Sequence, residues 1–145
     1  MTGSRVLRHS GFRWQGVEVR AYKDPVEGLF RGVTRQMLAG GGEAGTPCAF
    51  ELRYFEVAPG GFSSLERHGH AHAVVVLRGR GSVLLEGAEH PLAPYDCVWV
   101  APDAPHQFRA AEDEPLGFLC VVDRERDRPV PIEERGTEER GTGTN

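Results

Sequence analysis

Glycine and proline interrupt this chain so regularly that it has no material for a helical core. The 19 glycines and 10 prolines fall between short apolar segments, and no long stretch carries the apolar repeat of a helix. What remains reads as strands over 17–22, 30–38, 50–57, 73–77, 82–86, 97–100, 106–110 and 117–122. Glycine or proline turns connect them at 39–47, 58–61, 78–81, 91–96 and 101–105. Short strands at this spacing predict an all-β sandwich, jelly roll or barrel. With 145 residues the chain suffices for one such domain with a sizeable core, expected over 1–122. From 123 to 145 it becomes a charged tail. Residues 124–132 are expected to strap across the barrel through Val130 and Ile132. The closing tandem repeat, Glu133-Glu134-Arg135-Gly136-Thr137 and then Glu138-Glu139-Arg140-Gly141-Thr142, is expected to be disordered.

The chemistry concentrates in one run. Glu66, His68, His70 and His72 alternate along the chain, and His106 follows in Pro105-His106-Gln107-Phe108. In an extended strand, side chains two apart share a face, so these four are expected to project together. Converging imidazoles point to metal coordination. The competing reading is a polar outer face on an edge strand, and Val74, Val75, Val76 and Leu77 oppose it. A segment apolar on both faces suits a strand buried on both sides, so the histidines lead inward. Three imidazoles with at most one carboxylate form a borderline-soft donor set, suited to Mn, Fe, Co, Ni or Zn and poorly suited to Mg or Ca.

The formal net charge of −4 argues against nucleic acid or an anionic membrane surface as the main partner, which leaves a small-molecule substrate. Residues 1–20 lack the apolar core of a signal peptide and no stretch approaches the length of a membrane span, so a cytoplasmic location is expected. Cys48, Cys97 and Cys120 are odd in number and widely separated, and are expected to be reduced thiols.

At these residues the chain resembles the cupins. Pro59-Gly60-Gly61, the histidine cluster and Gly79 resemble the first cupin motif, and the stretch from Pro94 to His106 resembles the second. The resemblance spans roughly residues 50 to 122 and implies a single-domain jelly-roll barrel with one metal near its centre. In the family the first motif reads His-x-His, a short turn, Glu, and Gly after six more residues. Counting back from Gly79 gives the set Glu66, His68, His72 and His106, with His70 in the turn beside the metal. A second register takes His70 in place of Glu66, giving four imidazoles. Two further departures stand in the second motif, where Tyr95 and Asp103 occupy positions usually held by glycine; Asp tolerates the left-handed conformation that such a turn requires.

The strings Thr34-Arg35-Gln36, Arg53-Tyr54-Phe55-Glu56-Val57, Leu65-Glu66-Arg67-His68 and Gly117-Phe118-Leu119-Cys120 are similar to small cupins that include the methylthioxylulose-phosphate methylsulfurylases. That resemblance implies a metal-dependent lyase that releases the methylthio group of a ketose phosphate, leaving deoxyxylulose phosphate, with a thiol reductant. Its metal would act as a Lewis acid on the ketose carbonyl, with His70 as the candidate for proton transfer. Cys120, in an apolar strand, is the candidate catalytic thiol, set against the ordinary reading of a small buried hydrophobe. Arg35, Arg53 and Arg109 are the strand arginines available to a phosphate, and Tyr54, Phe55, Trp99 and Phe108 are aromatics for a pocket or a core. Two other functions fit the same residues: an iron-dependent dioxygenase, and a non-catalytic module whose metal organises a small-ligand pocket. Cupins of this size commonly pair, so a homodimer is expected.

Overall fold

The computed structural model describes residues 4–24, 26–40 and 48–132, which form strands and no helix. In chain order the strands are β1 (His9–Ser10), β2 (Arg13–Trp14), β3 (Arg20–Ala21), β4 (Arg31–Ala39), β5 (Phe50–Phe62), β6 (Glu66–Arg67) and β7 (His72–Gly79). They continue as β8 (Gly81–Leu85), β9 (Ala88–Leu92), β10 (Cys97–Val100), β11 (His106–Ala110), β12 (Leu116–Asp123) and β13 (Val130–Pro131). Every pairing among the described residues is antiparallel, and the main sheet curls on itself. One layer runs β10-β7-β12-β5-β4-β3; the other holds β9, β8, β11, β6 and β13. This is the all-β jelly roll expected from the sequence.

The inner face is made by alternation. Leu116, Phe118, Cys120 and Val122 of β12 point inward beside Val74 and Val76 of β7 and beside Phe55 and Val57 of β5, all at or below 7 % exposure. Phe118 stacks on Phe55 in its own layer and on Phe108 of the other, with ring centroids 5.7 and 4.6 Å apart. Each such buried side chain contributes about 1.5–3 kcal/mol relative to exposure.

β5 joins the layers. Its first part pairs with β4 and β12, and its end reaches β11 at Phe62–Arg109. The turn expected at 58–61 is therefore corrected, because the strand continues through it. Gly60 adopts a left-handed φ of +73°, and a Cβ on Gly61 would lie 2.4 Å from the Arg31 carbonyl oxygen, so these glycines bend the strand without ending it.

Other boundaries shift as well. The first expected strand shrinks to Arg20–Ala21, and β1, β2, β9 and β13 were not foreseen as strands. β1 and β2 form a hairpin whose Gly11 and Phe12 both have positive φ, as a two-residue turn of matching twist requires. Phe12 and Trp14 then cover Tyr54 on the outer face of β5. β9 carries Pro91 within the span read as a turn; it pairs with β8 alone, an edge position that tolerates proline.

Tyr95 and Asp103 both adopt the left-handed conformation, at φ +77° and +64°, so both glycine-like turns persist with other residues in place. Residues 124–132 do strap across the fold, but through the backbone: β13 pairs with β6 and the Ile132 amide donates to the Leu65 carbonyl, while Val130 stays half exposed. The tandem repeat at 133–142 lies outside the described residues.

Candidate metal centre

Three imidazoles meet where the two layers join. His72 opens β7 between Val100 of β10 and Val122 of β12. His106 opens β11 opposite Glu66 and Leu85. His68 comes from residues 68–71, which are not extended: the strand expected through the whole run breaks after Arg67. The break corrects the alternating geometry. His68 and His72 converge across a turn centred on Gly69 and His70, while His70 stacks flat against His68, ring centroids 3.8 Å apart and planes 6° apart.

The ligand atoms of His68, His72 and His106 all lie within 4.8 Å of one another, and all three residues are buried. Their orientation is fixed from behind. His68 Nδ1 donates to the His70 carbonyl at 2.7 Å, and His106 Nδ1 donates to the Ala104 carbonyl at 2.8 Å. With those protons committed, each Nε2 keeps its lone pair. His106 Nε2 then faces His72 Nε2 at 3.3 Å, a separation that only a proton or a metal ion can bridge favourably. Metal–imidazole bonds of about 2.0–2.1 Å place neighbouring ligand nitrogens about 3–3.5 Å apart, so the donor set fits a first-row transition metal. Burial lowers the pKa of all three imidazoles. For His72, burial with His106 and His68 alongside pushes it down to about 2. They are held neutral, as ligation requires.

Neither Glu66 nor His70 belongs to the converging trio. Glu66 is buried beside His106, and its Oε1 accepts from Lys23 Nζ and from Ser64 Oγ at 2.7 Å. His70 turns Nδ1 to Asp127 Oδ1 at 2.9 Å. Asp127 also accepts the Gly69 and His70 amides at 2.6 and 3.0 Å, and these donors hold its carboxyl down to about 2.

Cys120 closes the arrangement from below. Its Sγ lies 2.9 Å from His72 Nδ1, and Arg53 Nη2 approaches it at 3.4 Å. Burial raises the thiol pKa and Arg53 opposes that rise. All three cysteines are free: Cys97 is exposed and Cys48 half buried, both away from the cluster.

A cavity of about 260 Å³ opens over the histidines, with Phe55, Phe108 and Phe118 as its apolar wall. Among the described residues four cationic side chains line it, Lys23, Arg35, Arg53 and Arg126, against the single carboxylate of Glu66. Of the arginines read from the sequence, Arg109 lies elsewhere, bonded to Gln107. Tyr54 packs on the outer face and Trp99 is 63 % exposed, so neither reaches the cavity. Lys23, Ser64, Arg126 and Asp127 were not anticipated; Ser64 stands two residues before Glu66, whereas the other three come to the site from distant segments, and nothing in their local sequence marks them.

The cupin domain family matches residues 53–122. The 1-methylthio-D-xylulose 5-phosphate methylsulfurylase of Rhodospirillum rubrum is 53 % identical over 126 residues, which cover 86 % of this chain and 78 % of the relative. A crystal structure of a cupin 2 conserved barrel domain protein from Rhodopseudomonas palustris matches with a TM-score of 0.82 at 41 % identity, covering 97 % of this chain and 94 % of that one. A cupin-2 domain from R. rubrum matches with a TM-score of 0.76 at 48 % identity, over 90 % and 85 % of the two chains. No helix among the described residues is long and apolar enough to cross a membrane.

Proposed function

The chain belongs to the cupin family, and on that premise we propose that it is a metal-dependent enzyme that removes the methylthio group from a 1-methylthioxylulose 5-phosphate. The observation that carries this reading is the thiol of Cys120 beside the histidine cluster, 2.9 Å from His72 Nδ1. The R. rubrum relative's name supplies the substrate class.

His68, His72 and His106 would hold the metal, with Glu66 as the carboxylate able to join them once released by Lys23. When bound, the metal supplies Lewis-acid polarisation of the ketone oxygen. The remaining steps belong to the chain's own residues. Cys120 surrenders its proton to solvent, and the thiolate is stabilised by Arg53 and by the Nδ1–H of His72. The thiolate attacks the methylthio sulfur, a sulfur–sulfur bond forms, and the bond from sulfur to carbon 1 breaks. Its electron pair passes to carbon 1, conjugated with the ketone, and a solvent proton relayed through His70 Nε2 completes the methyl group of deoxyxylulose phosphate. Asp127 fixes the ring by holding Nδ1. An external thiol then releases methanethiol from the mixed disulfide and a second thiol restores Cys120, so two thiols are oxidised to one disulfide per turnover.

The test is methanethiol release by protein carrying stoichiometric metal. Cys120→Ser is expected to lose more than about a hundredfold in turnover while retaining its metal. Unchanged turnover would remove the thiol from the mechanism, and no release by the wild type with any of Mn, Fe, Co, Ni or Zn would end this reading. The small-molecule partner and the homodimer belong to the same proposal, and sedimentation of the purified chain reads the latter.

A further inference from the structure

The cavity carries more positive charge than its own residues balance. Lys23 is paired with Glu66, and Arg126 Nη2 lies 3.0 Å from Glu51 Oε1. Arg35 and Arg53 have no such partner. Among the described residues no carboxylate lies within ion-pair distance of either, and the buried Nε of each lacks a hydrogen-bond partner. Among the described residues Arg53 makes one polar side-chain contact, with Cys120 Sγ. The strand register explains their proximity. Arg35 pairs with Phe55 and Arg53 with Met37, so the two arginines are diagonal neighbours on the same inner face of β4 and β5. Burial and the neighbouring Arg53 charge lower the Arg35 pKa. Two half-buried guanidiniums facing one cavity without an anion leave their donors unsatisfied, a costly arrangement that a bound anion would relieve.

We propose that Arg35 and Arg53 form the subsite that receives the phosphate of a sugar-phosphate substrate. This rests on the reaction proposed above for the substrate's identity but not for its charge. A phosphate monoester matches the pair, since a dianion accepts from two planar guanidinium forks at once. Their position suits it as well. Counting strands from the histidine on β7, β12 with Cys120 comes next, then β5 with Arg53 and β4 with Arg35, two to three strand spacings or about 10–14 Å from backbone to backbone. The two arginines also line a second groove with Arg20 and Met37, which gives the subsite a path to solvent.

The experiment is titration of the full, metal-loaded chain with inorganic phosphate, followed by calorimetry, in wild type, R35Q, R53Q and R109Q. R35Q and R53Q are each expected to weaken phosphate binding about tenfold to a hundredfold, and R109Q to leave it unchanged. H106A, which removes a metal donor, is expected to keep binding phosphate; loss of binding there with R35Q and R53Q unaffected would assign the anion to the metal and overturn the proposal. Steady-state kinetics separate the two proposals. If methanethiol is released and R35Q leaves KM unchanged, the subsite fails and the reaction stands. If wild type releases no methanethiol yet phosphate binding depends on both arginines, the reaction fails and the subsite stands.

Discussion

Each histidine of the cluster is held neutral for the same reason: it is buried, and its neighbours are other imidazoles that resist a second positive charge. The consequence for stability follows by linkage. An unfolded histidine takes a proton near pH 6.5, whereas folded His72 does not until far below it and the His106 pKa is lowered in the same direction, so the unfolded state binds more protons as pH falls. Metal-free protein is therefore expected to be most stable above pH 6.5 and to lose stability steadily below it. Between pH 7.5 and 5.5 the loss is about 1.4 kcal/mol from His72, and His106 adds to it in the same direction. Urea midpoints of metal-free wild type and His72→Gln at the two pH values check this, and the variant is expected to show a smaller difference.

At the scale of elements, the turn at 68–71 owes its shape to a carboxylate 58 residues away, Asp127 on the C-terminal strap. Asp127→Asn keeps the size but loses the charge, and is expected to weaken metal binding about tenfold to a hundredfold by loosening the backing of His68 and His70. Competition with a chelator measures it. Gly79 ends β7 at φ +82°, where a Cβ would collide with the Pro115 carbonyl oxygen. Gly79→Ala is expected to cost about 2–4 kcal/mol, read by chemical denaturation, because strand β12 must shift to admit it. These two residues show where the sequence was legible. Gly79 marks the motif from which the histidines are counted, and alternation around Phe118 and Cys120 discloses the inner face. Asp127 sits in a charged tail with no signal, and alternation along 66–72 misleads because Gly69 and the distant carboxylate bend the run out of the strand. Arg35 and Arg53 were visible as strand arginines, but their adjacency follows from the register of β4 on β5, which local sequence does not carry.

Across the whole molecule, the three imidazoles belong to different parts of the fold: His72 to one layer, His106 to the other, and His68 to the connection between β6 and β7. An ion bound to all three therefore ties the layers together. With free metal at 100 times Kd the gain is about 2.7 kcal/mol, or roughly 10 °C in Tm for a chain of this size. Thermal unfolding before and after treatment with a chelator checks this, and His106→Ala is expected to abolish the difference.

The reach of Asp127 back to Gly69 also orders events during folding. The turn between two of the three donor histidines stays unclasped until the segment carrying residue 127 has docked on it. An ion captured at that stage is held by an unclasped loop and can leave again. Lasting metal uptake therefore waits on the strap, whose docking is the step at which the centre is closed.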